Sequence, residues 1–124
     1  MLRPFLMWET PSGRTPILDY LDSILKHDET SFVNLTTHLS KLSEHGQKAF
    51  CRELKPMTFR EISPPYKLVR IKTGTKPYRL YAILTPKIVH TLVGKDKKRN
   101  DLEKKTRELI ISRAKQVILQ ENDL

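Results

Sequence analysis

The 124-residue sequence predicts one α+β domain, with an antiparallel sheet of about four strands, two helices near its start and one C-terminal helix. Three strand-like segments follow one another after residue 65, separated by turns of hairpin length. Two apolar stripes with helical spacing precede these segments and a third follows them. A chain of this length can bury a single core, so residues 1–124 are expected to form one domain.

The first half of the chain predicts a strand and a helical hairpin. The segment RPFLMWE, residues 3–9, can form the first strand, and TPSG supplies the turn after it. Thr15 and Pro16 indicate a helix start, because a hydroxyl can cap a helix and proline suits its first position. The apolar stripe of this helix runs to His27. A second helix is predicted over Thr30–His45, ended by the glycine that follows.

The second half predicts a meander and a final helix. Residues 47–65 lose periodicity and are interpreted as a helical turn, a loop and a possible short strand. The three strands of the meander are predicted at residues 66–72, 78–84 and 87–93. Asn100 or Asp101 can cap the last helix, which is expected to end near Gln120.

The formal net charge is +9, and the second half supplies the whole excess. Residues 1–65 hold eight Lys and Arg against eight Asp and Glu, whereas residues 66–124 hold fifteen against six. This asymmetry indicates a polyanionic partner, with nucleic acid the first candidate and an acidic protein the second.

The lone Cys51 excludes an internal disulfide framework and a cysteine-based zinc site, and it fits a reducing compartment. No apolar run is long enough for a signal peptide or a membrane span. We therefore expect a soluble, cytoplasmic protein with no membrane partner.

An arginine lies between two tyrosines in the segment YRLYAIL. Alternation along a strand places Arg79 beside Tyr81 and opposite a wholly apolar face. Charged side chains are seldom buried unless paired. Arg79 is therefore either paired with a helix carboxylate or directed into a cleft where it meets an anion. On the neighbouring strand, Lys67 and Arg70 fall on opposite faces, so only one of them shares the face of Arg79.

Six segments occur in an order and spacing that resemble the RelE/ParE toxin superfamily, particularly its phage-related, HigB-like branch. They are TPSGRTPILDYLDSIL, LSKLSEHG, ELKPM, YKLVRIK, YRLYAIL and KIVHTLVGKDKK, and the similarity covers residues 5–105. Three features depart from the family pattern. Val93 or Gly94 stands where an aromatic residue usually precedes the lysine pair, and KRNDLEKK replaces the KTP that usually follows it. LVRIK also lacks the carboxylate common beside its arginine.

The resemblance implies a RelE-like fold, in which two N-terminal helices pack on a small antiparallel sheet. It also implies the toxin of a type II toxin-antitoxin system, a metal-free endoribonuclease that cleaves mRNA, usually on the ribosome, and is neutralised by a helix-turn-helix antitoxin. Two alternatives stay open. One is a ParE-like inhibitor of DNA gyrase or topoisomerase, and the other is a basic, phage-derived protein that binds nucleic acid without turnover.

Cleavage of RNA through its own 2′-hydroxyl requires proton removal from that hydroxyl, stabilisation of charge on the phosphate and protonation of the leaving oxygen. The resemblance places a functional arginine in the YR strand, so Arg79 is the predicted phosphate stabiliser. His90 is either a general acid or base or a core histidine. Tyr81 either stacks on an RNA base or packs in the core.

The remaining candidates are cations of the basic half. The other predicted catalytic residues are Arg70, Lys67 and Lys97. The predicted RNA-binding residues are Lys72, Lys76, Tyr81, Lys95, Lys98 and Arg99. The histidines show no metal-ligand spacing, so neither a metal nor a cofactor is expected.

Overall fold

The computed structural model describes residues 3–98 and 102–122 and places five strands of these residues in one sheet. The strands are β1 (Phe5–Met7), β2 (Leu54–Met57), β3 (Lys67–Lys72), β4 (Arg79–Leu84) and β5 (Val89–Gly94), and their order is β1-β5-β4-β3-β2. The predicted meander of β3, β4 and β5 is confirmed, and β2 joins it antiparallel. β1 pairs with β5 in parallel. The α+β class is therefore confirmed, whereas the predicted purely antiparallel sheet of about four strands is wrong in strand count and direction.

The two edge strands explain this difference. β1 has three residues, and its partner β5 lies near the other end of the chain, so no local pattern indicates their parallel pairing. β2 lies in the stretch that lacks periodicity. It also contains Pro56. Proline has no backbone N–H to donate to a neighbouring strand, so a sheet tolerates it at an edge strand such as β2.

Three α-helices occupy the described part of the chain: α1 (Pro16–His27), α2 (Glu29–His45) and α3 (Lys104–Asn122). A 3-10 helix, Gly46–Ala49, follows α2. α1 and α2 form the predicted hairpin. Asp28 between them caps α2, since its carboxylate accepts a hydrogen bond of 3.1 Å from the Ser31 amide. Gly46 ends α2 with a positive φ of 58°, a conformation that suits glycine. The predicted caps of the last helix, Asn100 and Asp101, lie outside the described residues.

Different helices cover the two faces of the sheet. We call the face under α1 and α2 the hairpin face and the other the α3 face. Side chains of β4 alternate between them as predicted, with Leu80, Ala82 and Leu84 on the hairpin face and Tyr81 and Ile83 on the α3 face. On α3, the residues buried in this second core are Ile110, Ala114 and Val117. The helix arrangement thus differs from a sheet backed by the N-terminal helices alone, because α3 buries the second face.

β5 contains a bulge opposite the middle of β4. Tyr81 pairs with Val93, whereas the next residue, Ala82, pairs with Thr91. Leu92 therefore has no partner on β4, which is the pattern of one extra residue in a strand. As a result, both Leu92 and Val93 belong to the core on the α3 face.

Candidate nucleic-acid interface

Three cations and a tyrosine lie at the paired ends of β3 and β4. Arg70 pairs with Tyr81, and Lys72 pairs with Arg79. Because alternate residues share a face, these four side chains all lie on the α3 face. Lys67 lies on the hairpin face, at the opposite end of β3. Arg70 is therefore the cation that shares the face of Arg79, which settles the choice that alternation left open. We call Arg70, Lys72 and Arg79 the cation cluster.

The Arg79 guanidinium is held by backbone oxygens. Its Nη1 donates hydrogen bonds to the Lys76 carbonyl at 2.6 Å and to the Tyr78 carbonyl at 2.9 Å. Its Nε is buried and has no hydrogen-bond partner. None of the ion pairs among the described residues involves Arg79. The structure thus gives no support in these residues to a pairing with a helix carboxylate, and the hydrogen bonds of Nη1 leave the other donors of the Arg79 guanidinium without a partner in these residues.

Neighbouring cations disfavour the charges of Arg70 and Lys72, and the carboxylate of Glu53 offsets this only in part. The Nη2 of Arg70 donates to the Arg52 carbonyl at 2.8 Å, while its Nε is buried without a partner. Burial, and then the positive charge of Arg79, lower the pKa of Arg70. Burial also lowers the pKa of Lys72, and the charges of Arg70, Arg52 and Arg79 lower it further. A bound anion would favour the charged form of each group.

The segment after β5 brings more lysines to this end of the sheet. The Lys95 amide donates to the Arg79 carbonyl at 3.0 Å, and the Lys97 amide donates to the Pro77 carbonyl at 2.8 Å. Lys95, Lys97 and Lys98 line a small cavity together with Tyr81. The Lys95 ammonium lies 2.9 Å from the Glu103 carboxylate. The structure therefore places the predicted Lys95, Lys97 and Lys98 beside the strand that carries Arg79.

Tyr81 lies between the cation cluster and the core. Its side chain is 4% exposed and packs in the core under α3. Burial raises the pKa of its hydroxyl, although the charges of Arg79 and Arg70 lower it. The ring thus has the surroundings of a core residue, which was one of the two roles predicted for it.

Three other candidates lie elsewhere or are not described. The Lys76 ammonium is 3.5 Å from the Asp28 carboxylate, at the start of α2. His90 is buried on the α3 face and pairs with Ile83, four residues along β4 from Arg79. At the rise of a β-strand this separation is roughly 13 Å. Arg99 lies outside the described residues.

The sequence analysis missed residues that surround the cluster. Arg52 and Glu53 precede β2, and the Glu53 carbonyl accepts a hydrogen bond of 3.0 Å from the Lys72 amide. On the other side, the Tyr20 hydroxyl of α1 donates to the Asp96 carboxylate at 2.7 Å. These contacts join residues that are distant in the sequence. Glu53, Tyr20 and Asp96 all fall within segments that carry the resemblance, but the resemblance implied no role for them.

Within residues 3–98 and 102–122, no group of three or more His, Cys, Asp or Glu side chains can hold a metal ion. No helix in this part of the chain is long and apolar enough to cross a membrane.

Comparison of the chain with protein-family models, with curated proteins and with solved structures found no match. The resemblance to the RelE/ParE superfamily therefore stays a prediction from the sequence segments.

Proposed function

We propose that this protein is an endoribonuclease toxin of the RelE/ParE superfamily, of the HigB-like type, which cleaves mRNA through the 2′-hydroxyl. The observation that carries the proposal is the cation cluster. Two guanidinium groups in it each keep a buried Nε–H without a partner, and Lys72 lies across the strand pair from Arg79. Positive groups on neighbouring strands of one face, with unsatisfied donors, fit the charge that develops on a phosphate during cleavage.

The phosphate would bind between Arg79 and Arg70. Arginine suits this role because its planar guanidinium can present two parallel N–H groups to one phosphate. The 2′-oxygen attacks phosphorus, the bond from phosphorus to the 5′-oxygen breaks, and the products carry a 2′,3′-cyclic phosphate and a 5′-hydroxyl. The pentavalent phosphorane has more negative charge on its oxygens than the ground state, so the two arginines stabilise it preferentially.

The proton transfers are assigned to neighbours of the cluster. Lys72 has a lowered pKa and is proposed to protonate the leaving 5′-oxygen. Glu53 is adjacent to Lys72 through the 3.0 Å backbone hydrogen bond, and its carboxylate is proposed to take the proton from the 2′-hydroxyl. His90 is too far from Arg79 to serve the same phosphate, since their strand positions differ by roughly 13 Å.

The biological setting follows from the resemblance. The proposed substrate is mRNA, cleaved on the ribosome in the cytoplasm, and the proposed partner is an antitoxin with a helix-turn-helix domain. The excess of positive charge in the second half of the chain is compatible with both an RNA substrate and an acidic partner surface.

The direct test is cleavage of a labelled single-stranded RNA and of ribosome-bound mRNA by purified protein, with the product ends identified. Arg79→Ala should lower the rate by about 100- to 1000-fold, the usual effect of removing one donor to a developing oxyanion. The exposed Arg14 provides the matched control, and Arg14→Ala should retain full activity.

Induced expression gives the second readout. Growth arrest with new internal 5′ ends on mRNA, both abolished by Arg79→Ala, would support the proposal. Arrest with intact messages and an inhibited topoisomerase would assign the ParE-like function instead. If the protein causes neither growth arrest nor cleavage but still binds RNA, the result would assign the function of a non-catalytic binding protein.

A further inference from the structure

A second cavity lies on the α3 face, away from the cation cluster. Its volume is about 450 Å³. It opens between the end of β1 and the C-terminal half of α3, and the buried imidazole of His90 lines it. The other residues used below are Trp8, Glu9, Gln116 and Gln120, which all line the same cavity. Pockets of this volume are typical of small-molecule sites.

Trp8 forms a fixed aromatic wall of the cavity. Its backbone amide donates to the Thr91 carbonyl at 2.9 Å. The Arg113 guanidinium lies 5.3 Å from the centre of the indole, and its Nη1 donates to the Leu92 carbonyl at 2.6 Å. The indole is therefore held by the sheet and by a cation that is itself anchored. A rigid aromatic ring loses little entropy when a second ring packs against it.

His90 adds a second ring and a defined tautomer. The two ring centres of Trp8 and His90 are 6.2 Å apart, with an angle of 55° between the planes. The Nδ1 of His90 lies 3.0 Å from the Thr91 carbonyl, which can only accept, so Nδ1 carries the proton. Burial lowers the pKa of His90 and keeps the ring neutral at physiological pH. Its Nε2 is then a hydrogen-bond acceptor.

The polar groups of the cavity suit an uncharged ligand. Gln116 and Gln120 are separated by one helical turn, so both amides face the same side of α3. Each amide offers donors and an acceptor. Glu9 is the charged side chain among the residues that line the cavity, and its carboxylate would repel a phosphate. This chemistry differs from that of the cation cluster, although the chain as a whole is basic.

We propose that this cavity binds a planar, uncharged heteroaromatic ring of the nucleobase class. The ring would stack on Trp8 and exchange hydrogen bonds along its edge with Gln116, Gln120 and His90. Stacking on an aromatic side chain suits any nucleobase, because every base has a π-face. The ring can belong to a free nucleoside or to an unpaired base of a strand. Binding of such a ring does not require the protein to cleave RNA.

Trp8 supplies the measurement, because it is the single tryptophan of the chain. Its fluorescence would be excited at the red edge of its absorption, where nucleosides absorb little, during titration with adenosine. We expect a saturable change. The double substitution Gln116→Ala and Gln120→Ala should weaken adenosine binding at least tenfold, which corresponds to about 1.4 kcal/mol.

Controls separate this site from a general effect. Gln47→Ala, at an exposed glutamine outside the cavity, should leave the titration unchanged. Ribose 5-phosphate, which lacks a base, should give no response. Arg79→Ala should also leave it unchanged, so the nucleoside site and the proposed cleavage can fail independently. Gln116 and Gln120 are exposed, so circular dichroism should show the double variant folded.

Titration with a short single-stranded RNA identifies the source of the ring. A Trp8 response at much lower concentration than with adenosine, lost in the double variant, assigns the cavity to a base of a strand. A response to adenosine alone assigns it to a free nucleoside. Absence of a saturable response to either probe, or an equal response in the folded double variant, would overturn the proposal.

Discussion

The Tyr20 hydroxyl of α1 accepts a hydrogen bond of 3.2 Å from the backbone amide of Arg79. The same hydroxyl donates to the Asp96 carboxylate at 2.7 Å. One side chain of the hairpin layer therefore joins the first residue of β4 to the segment that follows β5. Burial and the hydrogen bond to Asp96 raise the pKa of Tyr20, so the hydroxyl keeps its proton and both contacts.

Tyr20→Phe is expected to lower the rate of RNA cleavage on the order of tenfold, the value of about one hydrogen bond in the transition state. The reason is that Arg79 and the Lys95–Lys98 segment lose a common anchor while every charge remains. Single-turnover rates should fall, whereas the salt dependence of RNA binding should stay the same. Tyr66→Phe is the matched control, because the Tyr66 hydroxyl bonds to Asn122 at 3.1 Å, at the other end of α3. An equal loss in that control would argue against a positioning role.

Gly94→Ala should destabilise the fold through Tyr20. A Cβ atom at Gly94 would lie 2.5 Å from the Tyr20 Cδ2, too close for any real contact. Overpacking of this kind costs about 1–3 kcal/mol. Urea unfolding would measure the loss. In the background of Tyr20→Ala the same substitution should cost much less, and additive costs would show that the clash is not the cause.

The two lysines of β3 should differ in RNA binding. Lys72 belongs to the cation cluster, and Lys67 lies on the opposite face of the same strand. Each phosphate neutralised on a single strand contributes about 0.7 to the log-log slope of affinity against salt. Lys72→Ala should reduce the slope by about this amount, and Lys67→Ala should leave it unchanged. Equal slopes for both variants would place the RNA elsewhere.

Stability should fall in mild acid because of buried histidine. Burial lowers the folded-state pKa of His90 below its ordinary 6.5, and burial lowers that of His38 as well. Below about pH 6.5 the unfolded chain therefore binds more protons than the folded chain, and the free energy of unfolding decreases as the pH falls. The slope is at most about 1.4 kcal/mol per pH unit for each histidine.

Denaturant unfolding at a series of pH values measures this slope. His90→Gln should flatten it, whereas substitution of the exposed His45 should not. The lowered pKa of Asp28, caused by its hydrogen bonds to Ser31, acts in a separate window below about pH 4. An unchanged slope in His90→Gln would contradict the role assigned to burial of this ring.

The elements with local patterns could be predicted from the sequence. α1 and α2 follow from their apolar stripes and stop signals, and the meander follows from alternation and short turns. α3 was predicted less well. Leu109 continues the apolar pattern but is 40% exposed, whereas the smaller Ala114 is fully buried. The residue that faces the sheet is decided by the path of the helix across it, which no periodicity specifies.

In the candidate site, too, the relations within one strand could be predicted, whereas those set by tertiary packing could not. Alternation alone placed Arg79 with Tyr81 and separated Arg70 from Lys67, because these relations hold within one strand. The register that sets Lys72 beside Arg79, and the contacts of Tyr20 with Asp96, depend on tertiary packing. The chemistry of His90 allowed either a catalytic or a core role, and its position opposite Ile83 depends on how β4 and β5 align.

The bulge at Leu92 reverses the alternation of side chains along β5. Before it the odd-numbered Val89 lies on the hairpin face, whereas after it the odd-numbered Val93 lies on the α3 face. The single unpaired residue therefore decides which face each later residue of the chain takes. A regular ladder that paired Leu92 with Tyr81 in place of the bulge would turn every later residue of β5 to the opposite face and carry Lys95 away from Tyr81. Deletion of Leu92 itself would restore regular alternation and keep Val93 opposite Tyr81, with the loss of one core side chain. An insertion or deletion elsewhere in this strand is therefore expected to disturb the basic end of the sheet more than most substitutions within it.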